Sequence, residues 1–204
     1  MNILHMICSS RAESQSTLFS KEIVERLLIG NPEASIVIRN LSHGAMPHVD
    51  EAYSTALTAM VDHIEDRPTG SLALSDTLIA ELEHADMVVI GTPMHNFTVP
   101  SVLKAWIDHV VRVHRTFKPT PGGKVGLLQD RPVFVVIAAG GKFSSESAGQ
   151  PDFLRPYLAA ALATIGLLNV TFISLEALVF GAEAVAHARS MAFAALEQRM
   201  PVTA

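Results

Sequence analysis

Met94, His95, Asn96 and Phe97 sit together between a strand-like run and a helix-like run. Two apolar side chains, an imidazole and an amide in one short connection make little sense as a solvated loop. They suit the wall of a flat aromatic ligand, with Asn96 able to donate to and accept from a polar ring edge. The surrounding stretch, Asp86 to Arg112, reads DMVVIGTPMHNFTVPSVLKAWIDHVVR. Met87–Ile90 is a short continuous apolar run, as expected of a buried strand. Gly91, Thr92 and Pro93 predict a turn there, and Pro100-Ser101 predicts the start of a helix over 101–113. Ligands of open α/β sheets bind outside the carboxyl ends of the strands, which is where these residues would lie.

A second constellation, Ser9-Ser10-Arg11-Ala12-Glu13-Ser14-Gln15-Ser16, follows the first strand candidate and leads into a helix. A helix N-terminus presents free N–H groups and a positive dipole end to phosphate. Ser10, Ser14 and Ser16 add hydroxyls, and Gln15 an amide. Ser14 or Ser16 equally suits a plain N-cap. The turn has neither GxGxxG nor GxxxxGK[ST], so it is not a dinucleotide fingerprint or a P-loop. A hydroxyl-built site without lysine or metal fits a phosphate that is held rather than transferred, as in a monoester cofactor such as FMN. The third constellation is Ala139-Gly140-Gly141 with Phe143, where glycine permits close approach and positive φ. Met94, Phe97 and Asn96 facing this glycine pair match the apolar face and polar edge of a flavin, with Pro93 and His95 alongside.

The elements that must position these groups alternate. Strands are expected at 2–8, 34–41, 86–90, 131–138 and 170–175, and helices at 14–28, 71–84, 101–113, 153–166 and 183–199. The first helix carries Phe19, Ile23 and Leu27 on one face. A short helix is expected near 51–63, and Ser71 or Ser75 is expected to cap the helix after it. Segment 115–130, with Pro119, Pro121, Gly122 and Gly123, reads as a loop or small hairpin. The alternation predicts one domain spanning 1–204: a flavodoxin-like α/β/α sandwich with a five-stranded parallel sheet in the order 2-1-3-4-5.

The chain has 204 residues, a formal charge of −5, 49% hydrophobic residues and one cysteine. That supports a full core without disulfides and fits a reducing cytoplasm. No basic block points to nucleic acid, and no apolar run is long enough to span a membrane. No signal peptide is expected at Met1–Cys8. The histidines follow no metal-ligand spacing, so no metal is expected. His109 is expected at the surface or in an interface, Trp106 in the core and Phe117 off the core. Cys8 lacks the arginine six residues on that a phosphatase loop needs, since Ser14 stands there, and reads as a small buried residue.

The residues from Pro93 to Arg112, PMHNFTVPSVLKAWIDHVVR, followed by Arg115-Thr116-Phe117, resemble the FMN-dependent NADH azoreductases, also called NADH:quinone oxidoreductases. The serine turn, Gly140-Gly141, Ile165-Gly166 and Phe180-Gly181 extend the resemblance nearly end to end. It implies a homodimer with one FMN per subunit near the interface. It also implies ping-pong chemistry in which NADH or NADPH reduces FMN and a quinone or azo compound reoxidises it. Ser10, Ser14, Gln15, Ser16, Pro93–Phe97 and Ala139–Gly141 would hold FMN. His95, Phe117 and Phe143 would line the substrate side, Phe143 being equally suited to anchoring a loop. The flavin does the chemistry, so no catalytic acid, base or nucleophile is expected of the chain. His95 replaces the family's usual tyrosine, and Ala138-Ala139 replace more polar residues, so acceptor preference and flavin potential are where departures are expected. Two alternatives share these features: a flavodoxin-type electron carrier and an NAD(P)H:FMN reductase. The mild acidity and the added segments 42–70 and 115–130 favour the enzyme over the carrier.

Overall fold

A computed structural model describes residues 1–43, 46–62, 72–144 and 148–199. Five parallel strands form the central sheet: β1 (Asn2–Ile7), β2 (Ser35–Asn40), β3 (Met87–Pro93), β6 (Val133–Ala138) and β7 (Val170–Leu175). Their order is β2-β1-β3-β6-β7, the predicted 2-1-3-4-5 once a small hairpin, β4 (Phe117–Thr120) with β5 (Gly123–Gly126), is counted separately. The helices are α1 (Gln15–Gly30), α2 (Glu51–Asp62), α3 (Ala73–His84), α4 (Ser101–Val110), α5 (Leu154–Thr164) and α6 (Ala182–Glu197).

Val88, Val89 and Ile90 of β3 and Val135, Val136 and Ile137 of β6 are all buried, as expected of central parallel strands covered on both faces. One face packs Phe19, Ile23 and Leu27 of α1 and Ala188, Ala192 and Leu196 of α6 into a single cluster with Val89 and Val136. The other packs Leu78 and Ile79 of α3, Leu103 and Trp106 of α4, and Leu158 of α5. Among the described residues no helix is long and apolar enough to cross a membrane.

Strand β3 runs on through Gly91, Thr92 and Pro93 instead of turning at Gly91, pairing Gly91 with Val136 and Pro93 with Ala138. Proline is tolerated because β1 has ended: its last partner on β3 is Gly91, so the ladder position that Pro93 cannot fill is beyond β1. Gly91 has a packing role. A Cβ there would lie 2.7 Å from the Ser16 carbonyl oxygen and 2.4 Å from Ser20 Oγ, so α1 comes this close to β3 only over glycine. The start of α1 is thereby fixed against the carboxyl end of the sheet.

Three further expectations are corrected. Helix α4 ends at Val110, with Val111 as C-cap, and the turn after it is held by Thr116, whose hydroxyl donates to the Val110 carbonyl (2.6 Å). Ser75 is not a cap: it lies inside α3, buried, donating to the His109 carbonyl (2.6 Å), while Ser71 lies outside the described residues. His109 is buried, its Nε2 3.1 Å from the Pro47 carbonyl and its ring edge-on to Tyr53.

Candidate active site

Cys8, at the end of β1, is enclosed, and burial pushes its thiol up to about 12, with the Thr92 hydrogen bond opposing. It is not a nucleophile near neutral pH. Cys8→Ala is therefore expected to leave ligand binding and turnover at this end of the sheet within about twofold of the parent. A loss of turnover at unchanged folding would contradict the packing role.

The turn that follows reaches α1 through Ser14, the N-cap, whose Oγ accepts from the Thr17 N–H (3.2 Å). Ser14 Oγ also lies 2.8 Å from Thr17 Oγ1 and 3.2 Å from Ser16 Oγ. Ser14 is thus a cap in fact, and Ser16, fully buried, stands beside it. Gln15 departs from expectation: its amide oxygen accepts from Arg189 of α6 (3.2 Å), so the side chain faces its neighbour helix. Its backbone N–H and that of Ser16 have no acceptor among the described residues. Two orphaned donors in the first turn, next to exposed Ser10, are the equipment for a phosphate.

Beyond β3 the chain makes a tight two-residue turn. His95 and Thr98 exchange both backbone hydrogen bonds at 3.0 Å, with Asn96 at φ 47 and Phe97 at φ 73. Successive left-handed residues are normally Asn-Gly in such a turn. Asparagine adopts this conformation readily, whereas a phenylalanine there is held at a cost of about 1 kcal/mol or more. The turn leaves His95, Asn96 and Phe97 exposed and Met94 half-buried against the core. Met94 continues the ladder by donating its N–H to the Ala138 carbonyl (2.9 Å).

Ala139, Gly140 and Gly141 continue β6 at the adjacent strand end. The Ala139 N–H donates to Leu175 O (2.8 Å), and its carbonyl accepts from the Leu178 N–H (3.2 Å). Neither glycine adopts positive φ. Close approach is what they supply, since a Cβ on Gly140 would meet Val179 Cγ1 at 2.9 Å. Phe143 is a loop anchor: its ring is buried in the core, with the Arg155 guanidinium 5.2 Å from the ring centroid. Phe117 is likewise buried, contrary to expectation, in the β4–β5 hairpin, with Lys124 4.8 Å from its ring centroid.

The structure adds residues that sequence reasoning passed over. Gln150 Nε2 reaches Met94 Sδ (3.5 Å) and lies against Gly141, joining the loops after β3 and β6. The Phe153 N–H donates to the Phe97 carbonyl (3.1 Å). Glu176 accepts from the Phe143 N–H (2.9 Å) and from Ser144. Only the Phe180-Gly181 pair, near the end of this last loop, had left a mark in the sequence. The loops after β1, β3, β6 and β7 thus meet at the carboxyl end of the sheet, with orphaned N–H groups at one side and Met94, Asn96, Phe97 and the glycine pair at the other.

A five-stranded parallel sheet in the order β2-β1-β3-β6-β7 with helices on both faces is a flavodoxin-like architecture, and the family model described as a flavodoxin-like fold matches residues 1–200. The chain is 45% identical over 185 residues to FMN-dependent NADH:quinone oxidoreductase 4 of Pseudomonas fluorescens, covering 90% of this chain and 88% of that one. It is 46% identical over 178 residues to FMN-dependent NADH:quinone oxidoreductase 5 of Burkholderia lata, covering 86% and 85%. Among solved structures, the azoreductase of Bacillus anthracis superposes with a TM-score of 0.81 at 25% identity, covering 97% of this chain and 96% of that one. The chain belongs to the flavodoxin-like fold family and, within it, to the FMN-dependent NADH:quinone oxidoreductases.

Proposed function

We propose that this chain binds FMN at the carboxyl end of its sheet and reduces quinones, and aromatic azo compounds, with electrons from NADH or NADPH. The observation that carries this is the pair of orphaned N–H groups at Gln15 and Ser16, held by Gly91 beside loops 93–98 and 139–144. When bound, FMN supplies the chemistry: it accepts a hydride from the dinucleotide and delivers two electrons to an acceptor. The protein holds and shapes. The N–H groups of Gln15 and Ser16, the α1 dipole and the hydroxyls of Ser10, Ser14 and Ser16 hold the phosphate. Met94 and Phe97 offer apolar contact, with Pro93 at the base of their turn; Asn96 meets the polar ring edge, and Ala139–Gly141 present backbone. His95 faces the acceptor. Phe117 and Phe143, both buried, support the walls in this reading rather than touch substrate.

Two copies are expected to associate. Phe97 and Phe153 are 43% and 59% exposed beside the ring end, and their backbones are hydrogen bonded. Covering them with a second copy would remove apolar surface from water and close the site. The single, buried thiol agrees with a cytoplasmic location.

The purified protein is expected to be yellow, to release FMN on denaturation, and to oxidise NADH in the presence of a quinone, with azo dyes reduced more slowly. A colourless protein that cannot be reconstituted with FMN overturns the proposal. Ser14→Ala and Ser16→Ala are each expected to weaken FMN retention by about 1 kcal/mol, Ser14→Ala also lowering stability by a similar amount as a lost cap. Fluorescence titration of FMN checks this; unchanged affinity in the double variant would make both serines purely structural.

A further inference from the structure

A groove of about 1130 Å³ opens beside the edge strand β7, between that strand and α6. Its upper end is lined by Gly141 and Gln150, and Gln150 also touches Met94, so the groove starts at the ring end of the candidate site. Its α6 wall runs from Ala184 to Ala195, roughly 16 Å at the α-helical rise. Exposed apolar groups lie along it: Phe180 is 72% exposed and Met191 59%. Lys142, at the upper end, forms no ion pair among the described residues. The Glu176 carboxylate also lines the groove, its oxygens occupied by the N–H groups of Phe143 and Ser144 and by the Ser144 hydroxyl, neutral donors that leave its charge in place.

We infer that this groove holds the adenosine diphosphate half of the dinucleotide donor, with Lys142 facing the diphosphate, Phe180 packing beside it at the same end, and Met191, further along α6, facing the adenine. The inference rests on the donor reading proposed above. A quinone or azo acceptor is flat and has no long anionic appendage to place. The donor carries a diphosphate and a second aromatic base, and the chain has no GxGxxG turn to receive them. A groove that starts at the ring end with a cation and continues with apolar walls matches that order of groups.

The test uses the FMN-loaded protein and two probes. ADP-ribose, which lacks the nicotinamide, is expected to bind measurably by calorimetry, and Lys142→Glu and Met191→Ala are each expected to weaken it about tenfold, as loss of a charge-assisted or well-packed contact does. In steady state, the same variants are expected to raise KM for NADH about tenfold and KM for reduced nicotinamide mononucleotide less than twofold. Absence of ADP-ribose binding to the parent, or equal changes with both donors, overturns the groove assignment. ADP-ribose binding lost in the variants of a protein that does not oxidise NADH leaves the groove standing and overturns the donor reading instead.

Discussion

Gly91→Ala is expected to loosen FMN and to destabilise the protein together. The added methyl would sit 2.7 Å from the Ser16 backbone carbonyl and within 3.0 Å of the Ser20 side chain, so rotation of a side chain cannot relieve it. Helix α1 must move off β3, and its first turn carries the N–H groups proposed to hold the phosphate. Overpacking of this kind costs about 1 to 3 kcal/mol, and the misplaced helix start should lower FMN affinity by at least the tenfold that one lost charged contact brings. Gly122→Ala is the control: it sits in the hairpin turn with its nearest neighbour, Thr120 Oγ1, 3.9 Å away, and should change neither quantity by more than about 0.5 kcal/mol. Denaturant midpoints and FMN titration on both variants decide the matter. Parent-like behaviour of Gly91→Ala would contradict the close packing of α1 on β3.

The second large effect is a loss of stability in mild acid centred on His5. This histidine is buried on β1, and its Nε2 shares a 2.9 Å hydrogen bond with Ser20 Oγ, the side chain that also packs over Gly91. Burial, and secondarily the charge of Lys21, lowers its pKa from 6.5 to about 4. The unfolded chain therefore binds a proton more readily than the folded one. The stability from keeping His5 neutral is complete above 6.5 and is lost as pH falls from 6.5 towards 4, to a total of about 3 kcal/mol. His5→Asn can keep a hydrogen bond without titrating there. Its stability should fall less steeply than the parent's between pH 6.5 and 4, and parallel curves would refute the assignment. Carboxylates that titrate below pH 5 act on both proteins and cancel in the difference.

Much of the scaffold was legible because strand and helix periods differ. The apolar runs at 87–90 and 133–138 and the Phe19, Ile23, Leu27 stripe each give one period, and their alternation gives the parallel sheet. The misreadings have a common origin in contacts distant along the chain. Gly91-Thr92-Pro93 has the composition of a turn, and only the early end of β1 makes room for proline in the strand. His109 looks like a surface residue of α4 until Tyr53 and Pro47 cover it. Phe117 and Phe143 stand among polar and glycine-rich neighbours, yet a hairpin and a loop fold them inward. At the candidate site, residue type and spacing single out the serine turn and the Met94–Phe97 loop, and the structure places both at the carboxyl end of the sheet. The capture of Gln15 by Arg189 and the bracing by Gln150 and Glu176 join residues 33 to 174 positions apart. Local pattern carries no trace of such pairs.

His95 is where this chain departs from the tyrosine of the family it resembles. The tight turn from His95 to Thr98 keeps Phe97 in a left-handed conformation that glycine would adopt more easily. Such an outlier beside Met94 and Asn96 fits a side chain kept for contact with a ligand rather than for the turn itself.

Electron flow from donor through bound FMN to acceptor is tested most directly by rapid mixing of the oxidised, FMN-loaded protein with NADH without oxygen. Absorbance of the oxidised flavin should bleach in the absence of acceptor, and a quinone added afterwards should restore it, one equivalent per FMN. A flavin that stays oxidised with NADH and NADPH, yet is reduced by an electron-transfer protein, would identify a carrier and contradict the oxidoreductase assignment.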